Sequence, residues 1–411
     1  MRILCRTDLK NPPTSVGGIW SFQTTLLEEE LVEFGFTEEQ EMIRSQAAEF
    51  FKNECPVSKV RELMGSEHAF SPDLWEKLAA MGWLGLVFPE KYGGAGLTFV
   101  ELTVLLEAMG RALVPGSFFS TVVLAGLILL EAADEDQKER WLRPLTEGNL
   151  KATLALAEPN GSWKAAGLAA VTAERSGGEY VINGTKLFVP DAQKADLIIC
   201  AARTGSSSIS ESNITLFAVE PNIEGLKITR LKTMDQTRGL YEVTFNRVRV
   251  SADRVLGTPG KSWPVIERVI DKATIGLCAE MVGGAQSVLD MCVQYAKERV
   301  QFGRPIGSFQ AIQHKCADML LMIESARSAV YAAAWIASQD RDDTPLYSSI
   351  AKAYTSDASR FVAGEGIQIH GGMGFTWEHD VHLYFKRAKA DEFNFGDANY
   401  HRARVAQLLG L

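Results

Sequence analysis

The chain has 411 residues and no Cys-x-x-Cys pair; its six cysteines, Cys5, Cys55, Cys200, Cys278, Cys292 and Cys316, are scattered. That spacing argues against a disulfide framework and fits a reducing compartment, so a cytoplasmic location is expected. Excess positive charge is also missing. The net charge of −9 makes electrostatic attachment to nucleic acid or to an anionic membrane unexpected. The first twenty residues lack the apolar run of roughly 7–15 residues that a secretory signal needs. The most apolar stretch, "FFSTVVLAGLILLEAA" (Phe118 to Ala133), is interrupted by Ser120 and Thr121. It falls short of the ~20 residues that span a bilayer and reads as a buried helix, with no membrane insertion. Tandem repeats are absent, and so is the G-x-S-x-G elbow of serine hydrolases.

What is present is an ordinary globular balance, 46% apolar and 23% charged, long enough for a substantial core. Pro-Pro and Gly-Gly pairs make residues 1–35 an irregular arm. Residues 36–152 read as helical, with start signals at Thr37/Gln40, Ser71-Pro72 and Asp134/Gln137. Residues 153–260 change to strand alternation, with turns expected at Gly177-Gly178 and Asn183-Gly184. Residues 261–411 return to helical spacing: one long helix from Trp263 to about Arg299, then segments at 309–338, 346–369 and 379–409, the last broken near Gly396. The expected fold is therefore mainly α, with a helical N-terminal domain, a small central β-barrel or sandwich and a C-terminal four-helix bundle. This order excludes a doubly wound α/β domain, in which helices and strands alternate.

Two stretches carry chemical signals. "IQIHGGMGFTWEHD" (Ile367 to Asp380) follows helical spacing, so it is no dinucleotide fingerprint, which needs a strand first. A helix C-cap explains one of its three glycines; a ligand passing close to the backbone explains the surplus. "YAKERVQFGRPIGSFQAIQHKCADM" (Tyr295 to Met319) puts Arg299, Phe302 and Arg304 on a loop between two helices. Arginines beside exposed amides suit a diphosphate, and the aromatic suits a flat ring. "GTPGKS" has Val255 where a P-loop needs its first glycine and reads as a turn between domains. "HDVH" has a His-x-x-His spacing, but no acidic or cysteine partners repeat nearby, so no metal is expected.

These motifs, with "ALAEPNGSW" (Ala155 to Trp163) and "YVINGTKLFVPDAQKADLIICAA", resemble the acyl-CoA dehydrogenase family of flavoproteins, over roughly residues 36 to 411. The resemblance implies bound FAD. Arg299 and Phe302 would meet its diphosphate and adenosine side, and Gln368, Gly371 and Gly372 would meet the same FAD across a subunit interface. Leu156, Ala157 and Ser162 would lie near the flavin ring, and Phe188 would pack on its face. It further implies α,β-dehydrogenation of an acyl-CoA to a 2-enoyl-CoA. Electrons would pass to an electron-transfer flavoprotein, and the chain would act as a homo-oligomer or as a hetero-oligomer with a paralogue.

The sequence departs from the family at the catalytic base. Phe395 stands at the usual glutamate position, and Ala273 at the position used by another branch. Asp397, Glu392, Asp391, Asp271 and Glu280 remain as nearby carboxylates; Asp397 is the candidate base, with helix N-capping as its alternative role. Pro190 and Ala157 replace residues whose hydroxyls usually tune the flavin. Three readings stay open: an active dehydrogenase with a relocated base, a partner subunit that completes another chain's FAD site, and a flavin oxidase or monooxygenase on the same fold.

Overall fold

The computed structural model describes residues 35–66, 69–205 and 213–411. The arm expected over 1–35 lies outside these residues except for Gly35. Glu38–Leu411 form one compact unit.

Six helices come first: α1 (Glu38–Glu54), α2 (Val57–Met64), α3 (Pro72–Ala80), α4 (Phe99–Arg111), α5 (Leu127–Ala132) and α6 (Glu135–Thr146). The starts of α3 and α6 follow the sequence signals, whereas the Gln40 side chain donates to Glu101. The Ser71 side chain accepts the Leu74 N–H, with Pro72 in the first turn of α3. Asp134 and Gln137 form a reciprocal capping box at α6, as do Thr98 and Glu101 at α4. The apolar run Phe118 to Ala133 is not one regular helix. Phe119–Gly126 is π-helical and runs into α5. Its polar members are turned to use: Ser120 donates to Asp191 (2.8 Å), and Thr121 Oγ1 bonds the backbone of Ala152.

Eight strands follow: β1 (Ala152–Ala155), β2 (Thr172–Ser176), β3 (Glu179–Pro190), β4 (Leu197–Thr204), β5 (Ile214–Val219), β6 (Leu226–Arg230), β7 (Leu240–Ser251) and β8 (Val255–Leu256). They form one mixed sheet in the order β6-β7-β3-β2-β4-β5-β8, with β1 parallel to β4. Inward side chains from strands along the whole path, among them Ala173, Ile182, Phe217, Tyr241, Val243 and Val255, meet in a single cluster, so the sheet curls around one core. Gly177-Gly178 makes the expected turn between β2 and β3. Asn183-Gly184 does not turn the chain. It lies inside β3 at a register shift against β7, with Gly184 at φ +127. A Cβ there would sit 2.5 Å from Ala170 O, so this glycine serves a bulge and a close approach instead.

The last part is a bundle of α7 (Trp263–Glu298), α8 (Gln310–Ser338), α9 (Thr344–His370), α10 (Val381–Phe393) and α11 (Ala398–Leu408). A short ribbon of β9 (Val300–Gln301) and β10 (Arg304–Pro305) links α7 to α8. The break foreseen near Gly396 separates α10 from α11. Helix α7 crosses α4 at backbone distance. A Cβ on Gly110 would lie 2.0 Å from Glu280 O, and one on Gly283 would lie 1.9 Å from Glu107 O, so this crossing needs glycine. Helix α8 is apolar and long enough to cross a membrane by composition. Its buried residues Met319, Ile323, Ala326, Val330, Ala333 and Ala337 recur at steps of three and four, the spacing of a bundle seam.

Candidate functional site

The residues expected around a flavin ring sit where β1 leaves the sheet. Leu156 and Ala157 are buried. Ala157 O accepts the Leu187 N–H, and Leu156 O accepts from Lys186 Nζ at 3.0 Å. Lys186 pairs with Glu158 at 2.8 Å, and both side chains are fully buried. The Glu158 carboxylate also accepts the N–H groups of Ala169, Ala170 and Val171. This one carboxylate therefore closes the 158–171 loop, on which Ser162 rides with its Oγ accepting from Lys164 N. Phe188 sits beside a bulge of β3 with φ 54, and half of it is exposed (51%). Its ring is thus presented outward from a strained position.

The second group gathers at one end of the bundle. Arg299 caps α7, with its N–H on Tyr295 O. Phe302, at φ 54, is 92% exposed at the tip of the ribbon. Gln368, Gly371 and Gly372 are exposed at the end of α9, where Gly371 turns with φ +58. The Tyr295 and His370 rings, 4.6 Å apart, tie the two segments together. Nothing lies within 4 Å of a Cβ built on Gly371 or Gly372. An exposed guanidinium, a bare aromatic and open backbone at one end fit a diphosphate joined to a flat ring. The third glycine, Gly374, serves packing: a Cβ there would meet Ile367 O at 2.8 Å.

The region where the family resemblance puts the base is apolar at its centre. Phe395, with φ 61, lies against Phe119 and Trp163. Ala273 is fully buried. Asp397 caps α11, its Oδ1 accepting the Tyr400 N–H at 2.8 Å. The other candidate carboxylates are mostly engaged. Both oxygens of Asp271 face Arg404, Glu280 pairs with Arg238, and Glu392 pairs with Lys389. Asp391 is the exception: it is buried, neither oxygen has a hydrogen-bond partner, and Arg238 stands 3.6 Å away. Burial pushes its carboxyl up to about 6. Burial likewise pushes Asp191 up to about 6, against the bond from Ser120. Arg387, held by Asp235 at 2.8 Å and by Thr237, completes this buried ionic group. No sequence pattern points to it as a group, because it is assembled from three separate segments, Asp235 with Arg238, Glu280, and Arg387 with Asp391, that meet only through packing.

Helices flank a curled sheet that carries an outward aromatic, and the bundle ends in open backbone beside an exposed guanidinium. Residues 37–149, 153–248 and 260–410 match the N-terminal, middle and C-terminal domains of acyl-CoA dehydrogenases. The chain is 34% identical over 380 residues to YngJ of Bacillus subtilis, a probable acyl-CoA dehydrogenase, covering 92% of this chain and 99% of that one. Butyryl-CoA dehydrogenase from Megasphaera elsdenii superposes with a TM-score of 0.85 at 29% identity, covering 92% of this chain and all (100%) of that one. A chain of the ChsE4-ChsE5 complex from Mycobacterium tuberculosis does so at 0.83 and 28%, covering 92% and 99%. The protein belongs to the acyl-CoA dehydrogenase family and is an FAD-dependent oxidoreductase.

Proposed function

We propose that the protein oxidises an acyl-CoA between its α and β carbons to a 2-enoyl-CoA, as a subunit of a cytoplasmic oligomer that passes electrons to an electron-transfer flavoprotein. FAD, when bound, supplies the acceptor for the hydride that leaves the β carbon. Arg299, Phe302, Gln368, Gly371 and Gly372 would hold the diphosphate and adenosine side of a neighbour's FAD. Leu156, Ala157, Ser162 and Phe188 would border the ring. The observation that carries this reading is the open end of the bundle, where Arg299, Phe302 and the Gly371-Gly372 backbone are left uncovered together. Within this chain the α-proton goes to Asp397 Oδ2, since Oδ1 is spent on the Tyr400 N–H. Anaerobic addition of butyryl-CoA to the purified yellow protein tests the whole reading. The flavin absorbance bleaches if it holds and stays if it does not, and Asp397→Asn slows the bleaching if Asp397 is the base.

A second reading is favoured by Phe395. Its ring, packed with Phe119 and Trp163, fills the place that the family resemblance gives to the base. The chain then lends its open end to the FAD of a paralogue that does the chemistry. Purification alone and after co-expression with a paralogue separates the two readings, the second requiring colour only on co-expression.

A further inference from the structure

Two short segments that the family resemblance puts at the flavin ring are tied to each other inside the β domain. One holds Leu156 and Ala157, where the chain leaves β1, and the other holds Phe188 near the end of β3. The pairing of β3 with β7 shifts register between Lys186 and Val189. Leu187 lies in that shift, and its N–H goes to Ala157 O at 2.9 Å. Lys186 makes the second tie: Nζ donates to Leu156 O at 3.0 Å and to Glu158 Oε1 at 2.8 Å. Its side chain is fully buried. Phe188 follows two residues later, half-exposed and at φ 54, so its placement depends on the same ties.

We propose that Lys186 is a positioning residue for the flavin: its ammonium clamps the Leu156–Ala157 backbone to the bulge that carries Phe188, and so sets the spacing of the groups around the ring. The inference rests on the flavin placement proposed above and deepens it. Folding alone does not call for an ion pair here, since apolar residues of similar volume often fill such a place with no loss of stability. An ammonium adds direction. A bond aimed at Leu156 O and a charge-assisted one to Glu158 hold the backbone between them in a single arrangement. Being buried, Lys186 acts through the groups it holds and not by contact with the flavin.

The test combines Lys186→Met with Glu158→Gln in one chain. The pair is neutral overall before and after, so no buried charge is left alone, and the glutamine oxygen still accepts from the backbone N–H groups of the loop. The FAD dissociation constant of the double variant is expected to rise about 10-fold, the worth of one lost hydrogen bond. The midpoint potential of its bound flavin is expected to shift, and with charge matched a shift reports position. Lys186→Arg, which keeps donors, is expected to recover part of both. An unchanged potential overturns the inference alone, because a merely structural role loosens binding without moving the potential. The wild type supplies a second measurement, hydrogen exchange with and without FAD. Peptides covering residues 154–158 and 186–190 are expected to slow together when FAD binds. Slowing of one without the other overturns the inference, and slowing of neither overturns the flavin placement and the inference with it. Should the double variant fail to fold, the exchange measurement decides.

Discussion

The rings of Phe395 and Phe119 lie nearly parallel, 20° apart in plane with centroids separated by 6.3 Å, and Trp163 meets Phe395 edge-on at 5.4 Å. This contact puts hydrocarbon at the position to which the family resemblance assigns the base. Should Asp397 not serve as the base, Phe395→Glu is expected to speed flavin reduction by butyryl-CoA about 100-fold, the typical lower yield of a positioned general base. Anaerobic stopped-flow absorbance measures it. An unchanged rate would mean that proton removal is already served by another group.

The Lys186–Glu158 pair is buried on both sides and closes the 158–171 loop. Lys186→Met leaves Glu158 as an uncompensated buried charge. Loss of about 3–5 kcal/mol in unfolding free energy is expected by urea titration. A loss below about 1 kcal/mol would show that the three backbone N–H groups suffice to hold the carboxylate.

Asp391 makes stability depend on pH in a stated direction. Its carboxyl is raised to about 6 in the fold, where burial outweighs the attraction of Arg238 and Arg387, and Glu280 and Asp235 add repulsion. A group raised in this way favours the folded state most below its unfolded value of about 4, and that benefit is lost as pH climbs through about 6. Asp391→Asn, neutral at every pH, is therefore expected to be about 2 kcal/mol more stable than the wild type at pH 7.5. The advantage should vanish towards pH 4. Urea unfolding at both pH values checks the sign, and a variant less stable at pH 7.5 would contradict it.

Arg299 and Phe302 make few contacts within their own chain, Phe302 touching only the edge of the Phe309 ring among the described aromatic pairs. Arg299→Ala and Phe302→Ala should each change the melting temperature of the flavin-free protein little, because exposed side chains contribute little to folding. Both should lower the flavin-to-protein ratio after gel filtration. Full flavin retention in the double variant would remove this end of the bundle from the FAD site.

Much of the architecture was legible in the residues themselves. Ser71-Pro72 and the Asp134/Gln137 pair start helices because capping is a local bond between neighbours in sequence. Gly177-Gly178 turns the chain for the same reason. Asn183-Gly184 misled because one dipeptide serves a turn or a bulge, and the choice depends on Ala170 pressing against Gly184 from fourteen residues away. The Phe118 to Ala133 run announced burial but not its π-helical winding, which is tied to partners in Asp191 and Ala152.

By itself the sequence determined the helix–strand–helix order, the family, and the residue types at the bundle end and at the position where the resemblance puts the base, since these are matters of local propensity and motif. Only tertiary structure decided what packs around Phe395 and which carboxylates are left unpaired. Those outcomes depend on desolvation and on partners distant in the chain, as with Arg387 and Asp235 or Phe395 and Phe119, and no local pattern encodes a burial that the rest of the chain supplies.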